Sequence, residues 1–576
     1  EKLKILSRAL GVQDVLAIEG PPGTGKTKLI TEIVVQWLLA NPGSRILLTS
    51  QTHIALDNVL ERVAQLDASI QLIRIGRTDD PKISDQSKAL LLERRVEGWI
   101  REVRTRAEQE MTRWAEEFGV DREAVSVGMK VERLLQVLRT QQQLEQAIAD
   151  TEIQIASVET SAEGTPQNVD RDELDEETTQ LDSAIGEIKR RFQDLKKTEE
   201  SLRQEMKEFG GYAAELANSN DEGDLADWAI HFLQSGPHIQ ECRARLALLE
   251  EWLLRAGRSP DFNAALLSSA QVIAGTCVGV ASVKGMEQVA YDLCIVDEAS
   301  KATATEILIP MARSKRWIIV GDPQQLPPFF EEFGEELRTA FDDNEIKATM
   351  LDRFLDGSEG VPTACRAELR NQYRMIEPIG ELISECFYEG RLQSPVKSHG
   401  LKLEAILPKP VVWYSTHRKG NRDEKREGQT FSNACEVTAI QHILKRLQWA
   451  AKAQKRRVSV AVISGYTAQV ALLREMEGRF VAEWPDLDVS CNSVDAFQGR
   501  QADVCIYSVV RTNPREDLGF LREKPRLNVA LSRGKSALVI VGDQMFCRTA
   551  GGRNPFKKVL DYIDGHPDAC ALETLP

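Results

Sequence analysis

The chain of 576 residues carries 88 Asp and Glu against 73 Lys and Arg, a formal net charge of −15, and is 42% hydrophobic and 28% charged. That length predicts several domains with real cores, and the acidic balance argues against a protein that coats polyanions, though not against nucleic acid held in a local basic groove. No apolar run approaches a membrane span and the start EKLKILSRAL is no signal peptide, so an intracellular, cytoplasmic protein without membrane contact is expected. The ten cysteines contain no C-x-x-C pair and the seven histidines no ligand-spaced cluster, which fits a reducing compartment without structural zinc. The chain begins at Glu1 rather than Met, as a fragment of a longer protein would.

The first predicted element is a strand ending at Ala17-Ile18-Glu19, and it leads into residues 20–27, GPPGTGKT. This is the phosphate-binding pattern G-x-x-x-x-G-K-[ST] at a strand-to-helix junction. Gly20, Gly23 and Gly25, with Thr24 between them, let the backbone curl until its N–H groups face phosphate oxygens. A helix over 28–39 adds its positive dipole end, Lys26 reaches the β/γ-phosphates, and the Thr27 hydroxyl ligates Mg²⁺. Strands follow at 45–49 and 70–75, the alternation of a parallel α/β sheet, which breaks near residues 79–81.

A long insert, 79–265, has almost no strand pattern. Leu134, Gln141, Ile148 and Ile155 are spaced by heptads, with Val137, Leu144, Thr151 and Val158 three residues after each. A polar break at 161–170 precedes a second series, Leu174, Leu181, Ile188, Leu195 and Leu202. Two heptad arms joined by a polar turn predict an antiparallel helical hairpin over about 125–208. Its acidic residues, such as Asp172, Glu173, Asp175, Glu176 and Glu177, put part of the net charge on that arm.

Strands return at 271–276, 293–296 and 317–320. The run 293–296, LCIV, delivers the adjacent carboxylates Asp297 and Glu298 to its C-terminal end, Asp297 to hold Mg²⁺ through water and Glu298 to orient or deprotonate an attacking water. A second α/β series follows at 411–414, 458–463, 489–491, 504–510 and 537–541. The expected division is therefore a first α/β domain at 1–78 and 266–345, the helical insertion, a second α/β domain at 346–549 and a C-terminal extension at 550–576.

Four further motifs complete the pattern: VGDPQQLPP at 320–328, QYRM at 372–375, SVDAFQGR at 493–500 and RLNVALSR at 526–533. With the phosphate loop and Asp297-Glu298 they form an ordered set, and the chain resembles a superfamily 1 helicase of the 5′-to-3′ branch, nearest the up-frameshift group, over 1–75 and 270–545. The resemblance implies two RecA-like P-loop domains with parallel sheets that close on ATP and Mg²⁺. It implies that Gln325 senses the γ-phosphate, that Arg374 and Arg533 are arginine fingers, that Tyr373 stacks near the adenine and that Gly499 lies beside the phosphates. Single-stranded nucleic acid would then run across both domains. Its contacts would come from Ser50, Gln51, Thr52 and His53, from Thr276 with Cys277, from Tyr466 with Gln469, and from Ser493, Asp495 and Phe497. Small polar groups of this kind grip a backbone without reading bases. The family's adenine-reading glutamine motif has no counterpart in residues 1–12, and Gln501 stands where the family often has Glu.

The function implied is an ATP-driven 5′-to-3′ translocase and helicase. The alternative is a nucleic-acid-stimulated ATPase switch or clamp that recruits a protein partner through the hairpin. DNA and RNA are not distinguished, because that choice rests on 2′-OH contacts.

Overall fold

Short apolar runs buried on both faces form the strands, as parallel sheets covered by helices on each side require. The computed structural model describes residues 1–163, 170–234, 238–255, 260–328, 349–356 and 360–575. In chain order the first sheet takes β1 (Val15–Glu19), β2 (Ile46–Ser50), β3 (Leu72–Arg74), β4 (Val272–Thr276), β5 (Leu293–Asp297), β6 (Trp317–Gly321) and β7 (Arg366–Glu368). Then come β8 (Val411–Ser415), a small antiparallel pair β9 (Lys425–Glu427) and β10 (Thr430–Ser432), β11 (Val458–Ser464), β12 (Leu487–Ser493), β13 (Ala502–Ser508), β14 (Gly534–Gly542) and β15 (Cys570–Thr574). The first sheet is ordered β3-β4-β2-β5-β6-β1-β7 and the second β12-β11-β13-β14-β8-β15. Every pairing in both is parallel, so these are two RecA-like sheets of one α/β fold.

Four short strands are absent from the sequence expectation, the β9–β10 pair and two strands at the edges of the parallel sheets. The runs RAE of β7 and CALET of β15 are partly polar, yet each is a sheet edge, paired with β1 and β8 respectively. An edge strand needs an apolar face on one side only and tolerates charge. Both shift the expected boundaries. Leu351 packs with Ala17, Val296 and Ile319, and Ala367 with Leu369 packs with Leu16 and Ile18, so these residues belong with the first sheet. The second core takes in Leu326 and then residues from Met375 onward. Residues 550–575 are likewise no appendage: the helix Pro555–Gly565 sends Phe556, Val559, Leu560 and Ile563 into the core under the second sheet.

Residues Glu97–Ser259 form a separate compact unit, helical throughout its described residues. Helices Arg122–Glu163 and Asp170–Glu208 run antiparallel, since Lys130 pairs with Glu205 near one end while Glu152 pairs with Lys189 at 2.9 Å farther along. Leu134 and Val137 are buried, Leu144, Ile148, Ile155, Leu181, Ile188 and Leu195 are half-buried, and Gln141 is buried at its heptad position with Nε2 donating to Glu199 at 3.0 Å. At the base, Val131, Leu134, Leu202 and Met206 are buried, and Leu134 and Met206 share a core with Leu216 and Leu225. Of the expected turn at 161–170, residues 164–169 lie outside the described residues, as do the side chains of Val158 and Leu174. No described helix is long and apolar enough to cross a membrane.

Candidate functional site

The phosphate loop leaves β1 and enters the helix Lys26–Ala40, which starts two residues earlier than the expected 28–39. Gly20 N donates to Gly321 O at 2.8 Å, tying the loop to β6. Gly23 and Gly25 hold φ of +75° and +83°, and a Cβ on Gly23 would stand 2.6 Å from the Arg374 Cβ. Only glycine accommodates both the left-handed backbone and that approach. Thr24 is buried with its hydroxyl donating to Pro21 O at 2.8 Å, and Lys26 Nζ donates to Gly20 O at 2.7 Å. The lysine thus folds back across its own loop.

Strand order brings the carboxylates to this loop. β6 lies between β1 and β5, so the C-terminal ends of all three open together, where ligands bind in open α/β sheets. Asp297 is buried at the end of β5, and its Oδ1 accepts from Glu298 N at 2.8 Å. Burial raises its pKa, as does the Glu298 charge beside it, while Lys26 opposes them. Glu298 sits at φ 51°, ψ 40°, a left-handed conformation disfavoured for a residue with a Cβ, and its buried Oε2 has no hydrogen-bond partner among the described residues.

Both arginines come from the second half of the chain. Arg374 Nη1 donates to Ser532 O at 3.2 Å, and Arg533 Nε donates to Val529 O at 2.7 Å. Arg374 Nε and Arg533 Nη2 are buried without a partner among the described residues. Burial, and then the like charge of Arg533, push the Arg374 guanidinium down to about 9. Burial also lowers Arg533, with Glu298 drawing it back up. Two desolvated cations this close are costly unless an anion joins them.

A cavity of about 370 Å³ is lined by Gly23, Gly25, Lys26, Thr27, Asp297, Glu298, Tyr373, Arg374 and Gly499, among others. Tyr373 is 52% exposed, with Lys2 Nζ 5.2 Å from its ring centroid. Gln325 is buried, its amide donating to Asp322 Oδ2 at 2.6 Å. Three wall residues were not singled out from the sequence. Gln498 is buried with neither amide atom paired among the described residues, Lys301 is pushed down in pKa by burial, and Asn58 projects from the helix His53–Leu66. Gln498 was the findable one, since it lies inside the motif SVDAFQGR.

The expected nucleic-acid residues divide into two groups. Ser50 pairs in register with Thr276 on one side and Asp297 on the other, at the C-terminal edge of the first sheet, and Gln51 follows it. The Ser50 hydroxyl is buried and accepts from Thr52 N at 3.2 Å, while Thr276 Oγ1 accepts from Gly279 N at 3.0 Å. His53 lies 3.2 Å from Arg74 Nη2, and burial followed by that cation lowers its pKa. Ser493 ends β12 and its Oγ accepts from Ala496 N at 3.2 Å. Tyr466, Gln469, Phe497 and Cys277 are not presented for contact. Tyr466 is buried against Phe520 at 4.4 Å with its hydroxyl bonded to Arg511, and Gln469 is fully buried between Asn433 and Ser508. Phe497 and Cys277 are core residues. Asp495 is exposed, lines the cavity with the phosphate loop and pairs with Arg526 at 3.1 Å.

Two parallel sheets, a phosphate loop, paired carboxylates and two arginines from the second half of the chain are the layout of a RecA-like nucleotide-hydrolysing protein of the helicase class. Family models described as AAA domains match residues 1–331 and 346–545. The chain belongs to the superfamily 1 helicases of the up-frameshift-like 5′-to-3′ group, a family of ATP-hydrolysing enzymes. An uncharacterized ATP-dependent helicase of Methanocaldococcus jannaschii is 24% identical over 561 residues, 94% of this chain and 67% of that protein. ATP-dependent helicase NAM7 of Saccharomyces cerevisiae is 32% identical over 291 residues, 49% of this chain and 28% of that protein. The 5′-3′ DNA helicase ZGRF1 of Mus musculus is 29% identical over 310 residues, 53% of this chain and 15% of that protein. The chain therefore spans about two thirds of the archaeal relative and less than a third of the other two.

Proposed function

We propose that this chain hydrolyses ATP in the cavity between its two sheets and uses the cycle to move 5′-to-3′ along single-stranded nucleic acid, separating duplex as it goes. The observation that carries this reading is the pair of guanidiniums, half-buried Arg374 and buried Arg533, each with a buried N–H that lacks a partner among the described residues, beside Glu298 and near the phosphate loop. A polyanion entering there supplies the counter-charge that the folded chain lacks. Lys26 exchanges Gly20 O for a phosphate oxygen, and the loop N–H groups with Thr24 and Gly25 cradle the rest. Glu298 has a free carboxylate oxygen to take a proton from water, and the two arginines add positive charge where it develops on the transferring phosphoryl group. Tyr373 offers an exposed ring face for the base.

Thr27 and Asp297 are hard oxygen donors, of the kind Mg²⁺ takes, and both line the cavity. When bound, the ion neutralises charge on the β and γ oxygens.

Support for a nucleic-acid track comes from Gln51, His53, Thr276 and Ser493, which lie at or next to the C-terminal ends of strands in both sheets. Tyr466, Gln469 and Phe497 act behind that surface, through their packing. The direction of movement rests on the motif resemblance and on the name of the mouse relative. A duplex with a 5′ single-stranded tail is expected to be unwound in preference to one with a 3′ tail, measured by strand displacement with ATP. Displacement confined to 3′ tails would overturn the direction. Strand-stimulated hydrolysis without displacement on either tail would favour the switch or clamp.

The hairpin is proposed as a partner-binding or strand-guiding arm. Its base shares a core with Leu216 and Leu225, so excising all of 125–208 would cut that core. Replacing 144–195 with a short Gly/Ser linker spares it. This variant is expected to keep basal ATP hydrolysis within about twofold, because no cavity residue lies in the deleted span. Strand displacement or partner capture is expected to fall. A folded variant without ATP binding would show that the arm is part of the nucleotide site.

A further inference from the structure

Behind the cavity a run of buried hydrogen bonds joins the two halves of the chain. Gln325 Nε2 donates to Asp322 Oδ2 at 2.6 Å, and the same oxygen accepts from Tyr388 Oη at 2.7 Å. Tyr388 Oη in turn accepts from Asn528 Nδ2 at 2.7 Å, and that amide also donates to Gln324 O at 2.8 Å. Asp322 and Gln325 follow β6. Tyr388 caps the helix Glu377–Phe387, and Asn528 sits in the helix Lys524–Leu531, both packed with the second sheet. All four side chains are buried.

The chemistry makes this link sensitive to how the halves meet. Asp322 is a fully buried carboxylate with no cation in hydrogen-bond contact among the described residues. Its oxygens are satisfied by Gln325 and Gln324 N from its own turn and by Tyr388 from the other half. Separating the halves removes the Tyr388 bond to that buried carboxylate and the Asn528 bond to Gln324 O, leaving the tyrosine hydroxyl proton and one amide N–H without their acceptors. Asn528 Oδ1 has no partner among the described residues, so that side chain is held through its NH₂ group alone. Ser532 N donates to Asn528 O at 3.1 Å and Arg533 Nε to Val529 O at 2.7 Å, so the arginine is locked to the helix that carries Asn528. A stiff helical segment moves as one piece, and a displacement of Asn528 displaces Arg533.

We propose that Tyr388 and Asn528 are positioning residues that transmit the state of Gln325 to Arg533 through Asp322. This rests on the reading of the cavity as an ATP site with Gln325 facing the γ-phosphate. An amide that leaves Asp322 for a phosphate oxygen removes one of the two donors to Oδ2. The bond that remains, to Tyr388, seats Asn528 and through its helix the arginine. Nucleotide state and closure of the two halves are thereby coupled by residues that touch no phosphate.

The test is steady-state ATP hydrolysis by the full chain with saturating oligo-dT and oligo-U as separate probes. Tyr388→Phe, which removes one oxygen, is expected to lower kcat about tenfold on whichever strand stimulates, with KM for ATP changed less than about threefold. In a Gln325→Ala background the same substitution should add less than about twofold, because the relay has already lost its input. The same silence is expected in an Arg533→Ala background, read by single-turnover hydrolysis. Asn528→Ala, cutting the link from its other side, should reproduce the defect without compounding it. Equal losses in all backgrounds, a loss confined to KM, or no loss at all would overturn the relay. Wild-type turnover no greater than that of Lys26→Ala would overturn the ATP-site reading and the relay with it.

Discussion

Glu298→Gln is expected to lower the rate of ATP hydrolysis by at least about a hundredfold while ATP affinity stays within a few-fold. The substitution keeps the shape of the side chain and removes its capacity to accept a proton. Glu298 lines the cavity and has an oxygen to spare: Oε2 is buried and has no hydrogen-bond partner among the described residues. Asp297 differs in that its Oδ1 accepts from Glu298 N. The left-handed backbone at Glu298 is a second sign of a residue held for its chemistry, since such strain persists only where surrounding structure enforces it. Single-turnover hydrolysis beside equilibrium binding of a fluorescent ATP analogue separates the two effects. Near-normal turnover in the folded variant would remove Glu298 from the role of base.

Arg533→Ala is expected to cost about a thousandfold in turnover, the lower range for an arginine finger. The argument is electrostatic. The guanidinium is fully desolvated, its Nη2 is unpaired among the described residues, and the nearest opposing charge is Glu298. In the proposed ATP site its positive charge would act on a phosphoryl group with little screening by solvent. Arg533→Lys keeps a charge but loses the fork that binds Val529 O and Arg500 O together, and it too is expected to be strongly impaired. A thermal melt should accompany each variant, since removing a buried hydrogen-bonded side chain also loosens the helix end. Hydrolysis within a few-fold of wild type in a folded Arg533→Ala protein would leave Arg374 as the sole candidate finger.

How much of this was legible beforehand differs by element. β5 and β13 announced themselves, because strands buried on both faces must be apolar throughout. β7 and β15 did not, because their pairing with β1 and β8 is the only thing that makes RAE and CALET strands. The same edge pairing moved the boundary between the two halves past Leu369, where local composition changes little.

The phosphate loop and Asp297-Glu298 were singled out from residue type and spacing because their pattern is local, a curled glycine backbone and adjacent acids after a strand, whereas Arg374 and Arg533 were singled out only through the family resemblance. That these groups line or adjoin one cavity is a property of the parallel strand order, which sets the ends of β1, β6 and β5 side by side. Burial was decided only by packing. Tyr466, Gln469 and Phe497 look like surface contacts in a motif and are core residues in the fold, since a polar side chain can be internal wherever partners such as Ser508 and Arg511 satisfy it. Tyr388 carried no sequence sign at all. Its meaning comes from Asp322 and Asn528, which lie 66 and 140 residues away along the chain and meet it only when both sheets are folded.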